Sequence, residues 1–310
     1  MLAGMPSFYN AKKNIIISIH PRETSTTIAH NLQSKGVILY PILFKIAYKF
    51  LSIKDSAFGL KVGDFEIREG MNYYEICKLL SSNKYHFNNI TFPEGLTVKQ
   101  IIELLSNNNI NGQITRNIKE GTLMPETYNY TSFDTKDSIL QRMENEMTKF
   151  LDKAWSENKN LMLKSKEELL IFASITEKET GIDEERGLVA SIFTNRLKLG
   201  MKLQSDPTII YEITNGETNF GRKITKADIN NGKDYNTYKI PGLPKGPIAC
   251  PGRASILASI NPKESDYLYF VAIGDNSGRH KFAINYKDHL KNVDEYRKMR
   301  TEREMQIING

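Results

Sequence analysis

The arrangement of apolar and polar positions changes character along the chain. "IIISIH" (15–20) is a short apolar run that reads as a strand. Behind it, Pro21 and Thr24 mark a helix start and Gly36 its stop. A second helix follows over roughly 40–52. In "FGLKVGDFEIREGMNYYEICKLLSSN" (58–83), Phe65 and Ile67 alternate inward on a strand, and Gly70 opens the next helix. "HFNNITFPEGLTVKQIIELLSNN" (86–108) repeats that grammar: a strand, a turn at Pro93–Gly95, then a helix with Thr97 as its N-cap. Units of this kind recur in small α+β domains and do not make a repeat protein.

Beyond residue 109 the pattern lengthens. "EGTLMPETYNY" (120–130) reads as irregular, and long helices are expected over roughly 135–160, 165–180 and 183–199. The stretch 214–252 is rich in Gly, Pro and Asn with little periodicity, as expected of a binding loop or lid. A hairpin is expected from 267–273 and 280–284, bridged by "GDNSGR", with a charged helix closing the chain.

The second of these expected helices ends in "EKE". At about 100° per residue, Leu169, Phe172, Ile175, Thr176 and Glu179 share one sector, whereas Glu177 and Lys178 point elsewhere. Glu179 therefore continues an apolar stripe. A carboxyl group against apolar walls loses hydration of its charged form, so its pKa rises, which suits a general acid. The same placement also suits a carboxylate held by a buried arginine, Arg186 or Arg196, and the helix face does not choose between the two. Glu177 reads as an ordinary surface glutamate.

Charge and composition narrow the function classes. A net charge of +6 is spread along the chain rather than gathered in a stripe, which disfavours a nucleic-acid partner. The two cysteines, Cys77 and Cys250, lack metal-ligand spacing and read as unpaired buried thiols. The five histidines form no metal-binding cluster, so neither a metal nor a cofactor is expected. "VILYPILFKIAYKFLSI" (37–53) is broken by Pro41, Lys45 and Lys49, so it reads as an amphipathic helix on a small domain and not as a membrane span. The first 13 residues are too short and polar for a signal peptide, and the chain as given reads as soluble.

Several stretches together carry a resemblance. "FPEGLTV" (92–98), "EGTLMPETY" (120–128), "ASITEKET" (173–180), "VASIFTNRLKLGMKLQSDPTIIY" (189–211), "YNTYKIPGLPKGPIACPGRASILASINP" (235–262) and "YLYFVAIGDNSGRHKFA" (267–283) resemble, in order, the endolytic murein transglycosylase (YceG-like) family. The resemblance covers roughly residues 14 to 300. It implies an α+β protein: a tail (1–13), a small LysM-like α+β domain (14–108), and a mainly helical catalytic domain with a short β-hairpin (109–310). It also implies cleavage of peptidoglycan glycan strands between N-acetylmuramic acid and N-acetylglucosamine, leaving 1,6-anhydromuramoyl ends that terminate or release nascent strands. The essential group of such enzymes is the second glutamate of "EKET", here Glu179.

Weaker site expectations surround it. Gln204, Ser205 and Asp206, with Asn236, Thr237 and Tyr238, bring amide, hydroxyl and aromatic groups suited to sugars and short peptides, although Asp206 before Pro207 equally suits a turn or cap. Glu120 and Glu126 are candidates to line the cleft or to stabilise a turn. His280 and His289 read as residues that orient the last hairpin and helix. The implied partners are peptidoglycan strands and peptidoglycan synthases. The implied location is the outer face of the bacterial cytoplasmic membrane, held by an anchor helix missing from this sequence. Two alternatives remain: a hydrolytic muramidase using Glu126 or Asp206 as second carboxylate, and a non-catalytic peptidoglycan-binding protein.

Overall fold

A computed structural model describes residues 14–217 and 220–309, with side chains up to Arg303; the expected N-terminal tail lies outside the described residues. The chain divides into two units, one of residues 1–90 and 128–135 and the other of residues 91–127 and 136–310.

The first unit is built on an antiparallel pair, β1 (Ile15–Ile19) and β2 (Gly63–Ile67), in which Ile17 faces Phe65 and Ile15 faces Ile67. The chain between them forms α1 (Ser25–Ser34) and α2 (Pro41–Lys54). Thr24 caps α1 by accepting from the Thr27 N–H at 3.1 Å. α2 turns Phe44, Ala47 and Leu51 into the core, while Ile42, Ile46, Phe50 and Ile53 stay exposed. Its period thus gives the expected amphipathic helix, with Pro41 placed in the first turn, where its missing N–H costs nothing. α3 (Tyr73–Leu80) starts at Asn72 and not at Gly70. Asn72 and Glu75 cap each other's backbone N–H at 3.0 Å, and Gly70 takes the left-handed turn before them.

β3 (Asn88–Thr91) pairs with β4 (Thr127–Tyr130), a strand the irregular reading of 120–130 missed. The division between units falls within both strands. α4 (Val98–Ser106) is capped by Thr97, as its sequence predicts, with Gln100 completing the box, and belongs to the second unit. Local grammar announced the helix correctly but not its packing partner: the Thr97 hydroxyl donates to the Gly216 carbonyl at 2.6 Å.

The second unit is mainly helical. Its elements are α5 (Lys136–Ser156), α6 (Lys166–Glu179), α7 (Asp183–Lys198), α8 (Asp206–Thr214), α9 (Lys226–Asn230), α10 (Arg253–Ile260), the antiparallel hairpin β5 (Tyr269–Ala272) and β6 (His280–Ala283), and α11 (Tyr286–Asn309). α6 is buried on all sides from Leu169 to Thr176 and packs against α10, α7, α5 and α8. A helix enclosed this way fixes whatever its last turn carries. Phe172 meets Phe193 edge-on at 6.2 Å, and Phe193 meets Phe270 at 6.1 Å, so one chain of rings ties α6, α7 and β5 together.

Three helices went unforeseen: α8, α9 and α10. α8 opens with Asp206 and Pro207, residues that also suit a turn, yet proline is favoured in a first helical turn. α10 follows a proline–glycine pair and precedes Pro262, and its Ser255, Ile256, Ser259 and Ile260 are buried. The expected long loop at 214–252 runs between α8 and α10 and contains α9. Cys77 and Cys250 are both buried and free. No helix among the described residues is long and apolar enough to cross a membrane.

Candidate active site

Glu179 is the last residue of α6, and its side chain enters a cavity of about 260 Å³. The walls come from α7 (Arg196), the 204–206 turn (Gln204, Asp206), Tyr238, β5 (Tyr269, Phe270) and α11 (Tyr286, His289). Burial raises the Glu179 pKa to about 7, the nearby Asp206 charge adds to the rise, and Ser205 and Arg196 pull against it. Its place in the last turn of a helix, where carbonyl groups point, works in the same direction as burial. The result is a carboxyl group that holds its proton near neutral pH.

The buried-arginine alternative is answered by the positions of the two arginines. Arg186 pairs with Asp183 and lies 3.8 Å from Glu177, not Glu179. Arg196 is buried, donates to the Leu203 carbonyl at 2.6 Å and the Leu268 carbonyl at 2.7 Å, and sits 5.4 Å over the Tyr269 ring. Its guanidinium is held by these groups and makes no ion pair with Glu179, which it influences only at a distance.

Glu177 corrects the surface reading. Its side chain is only 6% exposed, and it accepts from the Gly252 N–H at 3.0 Å, at the N-terminus of α10. A carboxylate there satisfies an orphan donor and faces the positive end of the helix. Glu94 packs so close that a Cβ on Gly252 would lie 1.8 Å from its carboxylate oxygen, and burial followed by the Glu177 charge raises the Glu94 pKa.

The remaining expected site residues separate into two groups. Gln204, Asp206 and Tyr238 line the cavity with Glu179, and the Tyr238 hydroxyl donates to Asp206 at 2.7 Å. Gln204 holds a left-handed backbone, φ 52°, which aims its side chain and is unusual for a residue with a Cβ. Ser205 is 1% exposed; its hydroxyl draws on Glu179 without completing a hydrogen bond, and no other partner engages it.

Asn236 and Thr237 are fully buried supports. The Asn236 amide donates to the carbonyls of Asp228, Ile229 and Asn231, while the Thr237 hydroxyl accepts from the Ser205 N–H at 2.9 Å and meets the Thr208 hydroxyl at 2.9 Å. They hold the walls and do not line the cavity. Glu126 is outside it as well, paired with Arg253. Glu120 is a half-buried structural carboxylate, accepting from the Val98 N–H at 2.9 Å and the Tyr211 hydroxyl at 3.2 Å.

His280 orients the hairpin as expected, with Nδ1 2.8 Å from Glu185 on α7. His289 does more than orient a helix. Its ring stacks on Tyr269 at 5.1 Å and 23°, its Nδ1 is buried without a partner, and burial with Arg196 nearby lowers its pKa. It is a neutral imidazole in the same cavity as Glu179. Sequence reasoning missed it, along with Tyr269, Phe270 and Tyr286, because nothing local links residues a hundred positions from Glu179. A larger cleft of about 700 Å³ lies on another face of α7, but its two carboxylates, Glu264 and Asp266, are exposed and no acid is shielded there.

The sequence and the fold match known proteins. The YceG-like family profile matches residues 17–295, and the chain belongs to that family. An endolytic murein transglycosylase of Streptococcus pneumoniae strain D39 is 29% identical over 94% of this chain, and one of Bacillus subtilis is 29% identical over 95%. The chain spans 60% of the length of the pneumococcal relative and 88% of the Bacillus one. Among solved structures, a putative yceG-like protein of Listeria monocytogenes aligns with a TM-score of 0.54 at 28% identity, covering 91% of this chain and 99% of that one.

Proposed function

We propose that this chain is an endolytic peptidoglycan lytic transglycosylase that cuts between N-acetylmuramic acid and N-acetylglucosamine and leaves 1,6-anhydromuramoyl ends. One observation carries the reading: a shielded carboxyl group with a pKa of about 7, set in a cavity with polar walls. The names of the relatives support it.

In this mechanism Glu179 gives its proton to the bridging oxygen as the glycosidic bond breaks. It then accepts the proton of the muramoyl C6 hydroxyl, which attacks C1 of its own ring. The nucleophile is already part of the substrate, so no water has to be ordered. Arg196 and the neutral His289 face the same space. Gln204, Asp206 and Tyr238 hold the sugars; Ser205, Asn236 and Thr237 fix the walls.

The first unit is LysM-like in this reading and supplies strand binding, with two helices between its antiparallel strands. The enzyme works at the outer face of the cytoplasmic membrane beside peptidoglycan synthases, terminating or releasing nascent strands. A second reading draws on Asp206, a carboxylate in the same cavity: a hydrolytic muramidase with a two-carboxylate mechanism. Assaying Glu179→Gln beside Glu177→Gln on purified glycan strands tests the assignment. Activity is expected to vanish only in the first, and an active Glu179→Gln enzyme overturns it.

A further inference from the structure

A second cavity, of about 540 Å³, lies between the β5–β6 turn and α11. Arg279, Arg300 and Arg303 line it with Tyr296 and Asn276, and no carboxylate is among its lining residues. Arg303 donates to the Gly274 carbonyl at 2.7 Å, which anchors the turn to the helix. Arg279 reaches Glu184 at 3.4 Å, but both side chains are more than half exposed, so that pair binds weakly. Asp275, in the same turn, is occupied by the Ser277 N–H at 2.9 Å and its hydroxyl at 2.5 Å.

The position of this cavity relative to Glu179 matters. β5 contributes Tyr269 and Phe270 to the Glu179 cavity and Ala272 to the arginine cavity. Three residues of strand span ~10 Å. α11 contributes His289 to the first and Tyr296 to the second, and seven helical residues again span ~10 Å. Two packed elements thus lead from the reacting centre to a cationic pocket. It is roomy enough for the end of a short peptide, far more than a single inorganic ion requires.

We propose that Arg279, Arg300 and Arg303 form an oxyanion subsite that receives carboxylate groups of the peptide attached to the muramoyl residue, so that the enzyme favours peptide-bearing strands over naked ones. The planar guanidinium forks suit carboxylates and phosphates alike. This substrate preference rests on the proposed transglycosylase activity, and the test keeps the two apart.

The Arg279→Ala/Arg300→Ala double variant and the unaltered protein are assayed on peptide-bearing strands and on strands stripped by an amidase. KM is expected to rise about tenfold on the peptide-bearing strands, with kcat and the naked-strand values unchanged. An equal change on both strands, or no change on either, overturns the proposal. Calorimetry with a soluble stem peptide and with a glycerol-phosphate oligomer runs alongside, at low and high salt. The peptide is expected to bind the unaltered protein and not the double variant. Binding of the phosphate oligomer alone overturns the peptide assignment. If the unaltered protein cuts neither strand, the activity reading fails, and the calorimetry still decides the subsite.

Discussion

Replacing the Glu179 carboxyl with an amide separates its chemistry from its effect on stability. In the folded protein burial raises its pKa from the ordinary 4.5 to about 7. Below pH 4.5 the folded and unfolded states both hold the proton, so Glu179→Gln and the unaltered protein are equally stable. As pH rises from 4.5 to about 7, the unfolded chain releases its proton while the folded one keeps it, and the unaltered protein loses stability. At about 1.36 kcal/mol per pKa unit the loss approaches ~3 kcal/mol. The cavity opens to solvent and screens part of this, leaving about 2 kcal/mol. The neutral amide pays no such penalty, so the variant melts ~4–8 °C higher at pH 8 and at the same temperature at pH 4. Trp155, the only tryptophan, packs against the core that holds α6, and its fluorescence reports the transition. A melting difference that stays flat from pH 4 to pH 8 would refute the shielded-acid argument, whatever the activity.

Other substitutions read neighbouring parts of the account. Glu177→Gln removes one of the two carboxylates beside Arg186, leaving Asp183, and weakens the α10 cap; it is expected to cost ~1–3 kcal/mol in urea unfolding while specific activity per folded molecule persists. Gly121→Ala forces a side chain onto a backbone at φ +80° and brings its Cβ to 2.7 Å from Pro247, so a loss of ~2–4 kcal/mol is expected by the same measurement. The proposed mechanism needs Glu179 protonated, so it predicts that the rate on glycan strands falls about tenfold per pH unit above about 7. A profile still rising at pH 9 contradicts that role.

The sequence carried its local features well. Thr24 and Thr97 announced helix starts, whereas the apolar stripe read on α6 is not one-sided in the structure, where Leu169 to Thr176 are buried all round. What it concealed depends on contacts between distant segments. Glu177 looked exposed because its partners, Gly252 and Arg186, come from α10 and α7. α8 and α10 were hidden because their prolines and glycines also suit turns. Asn236 and Thr237 carry sugar-binding chemistry, yet their polar groups are consumed holding the loops around α9 and the 204–208 turn. His289 gained its significance only when α11 stacked it on Tyr269 beside the cavity.

The central claim concerns the fate of the broken bond and is tested most directly by mass spectrometry of glycan strands digested with the purified protein. Attack by the muramoyl C6 hydroxyl predicts new ends that are one water lighter than reducing ends, with none of the latter formed. Products that carry only reducing ends would contradict the account and transfer the chemistry to a water activated beside Asp206.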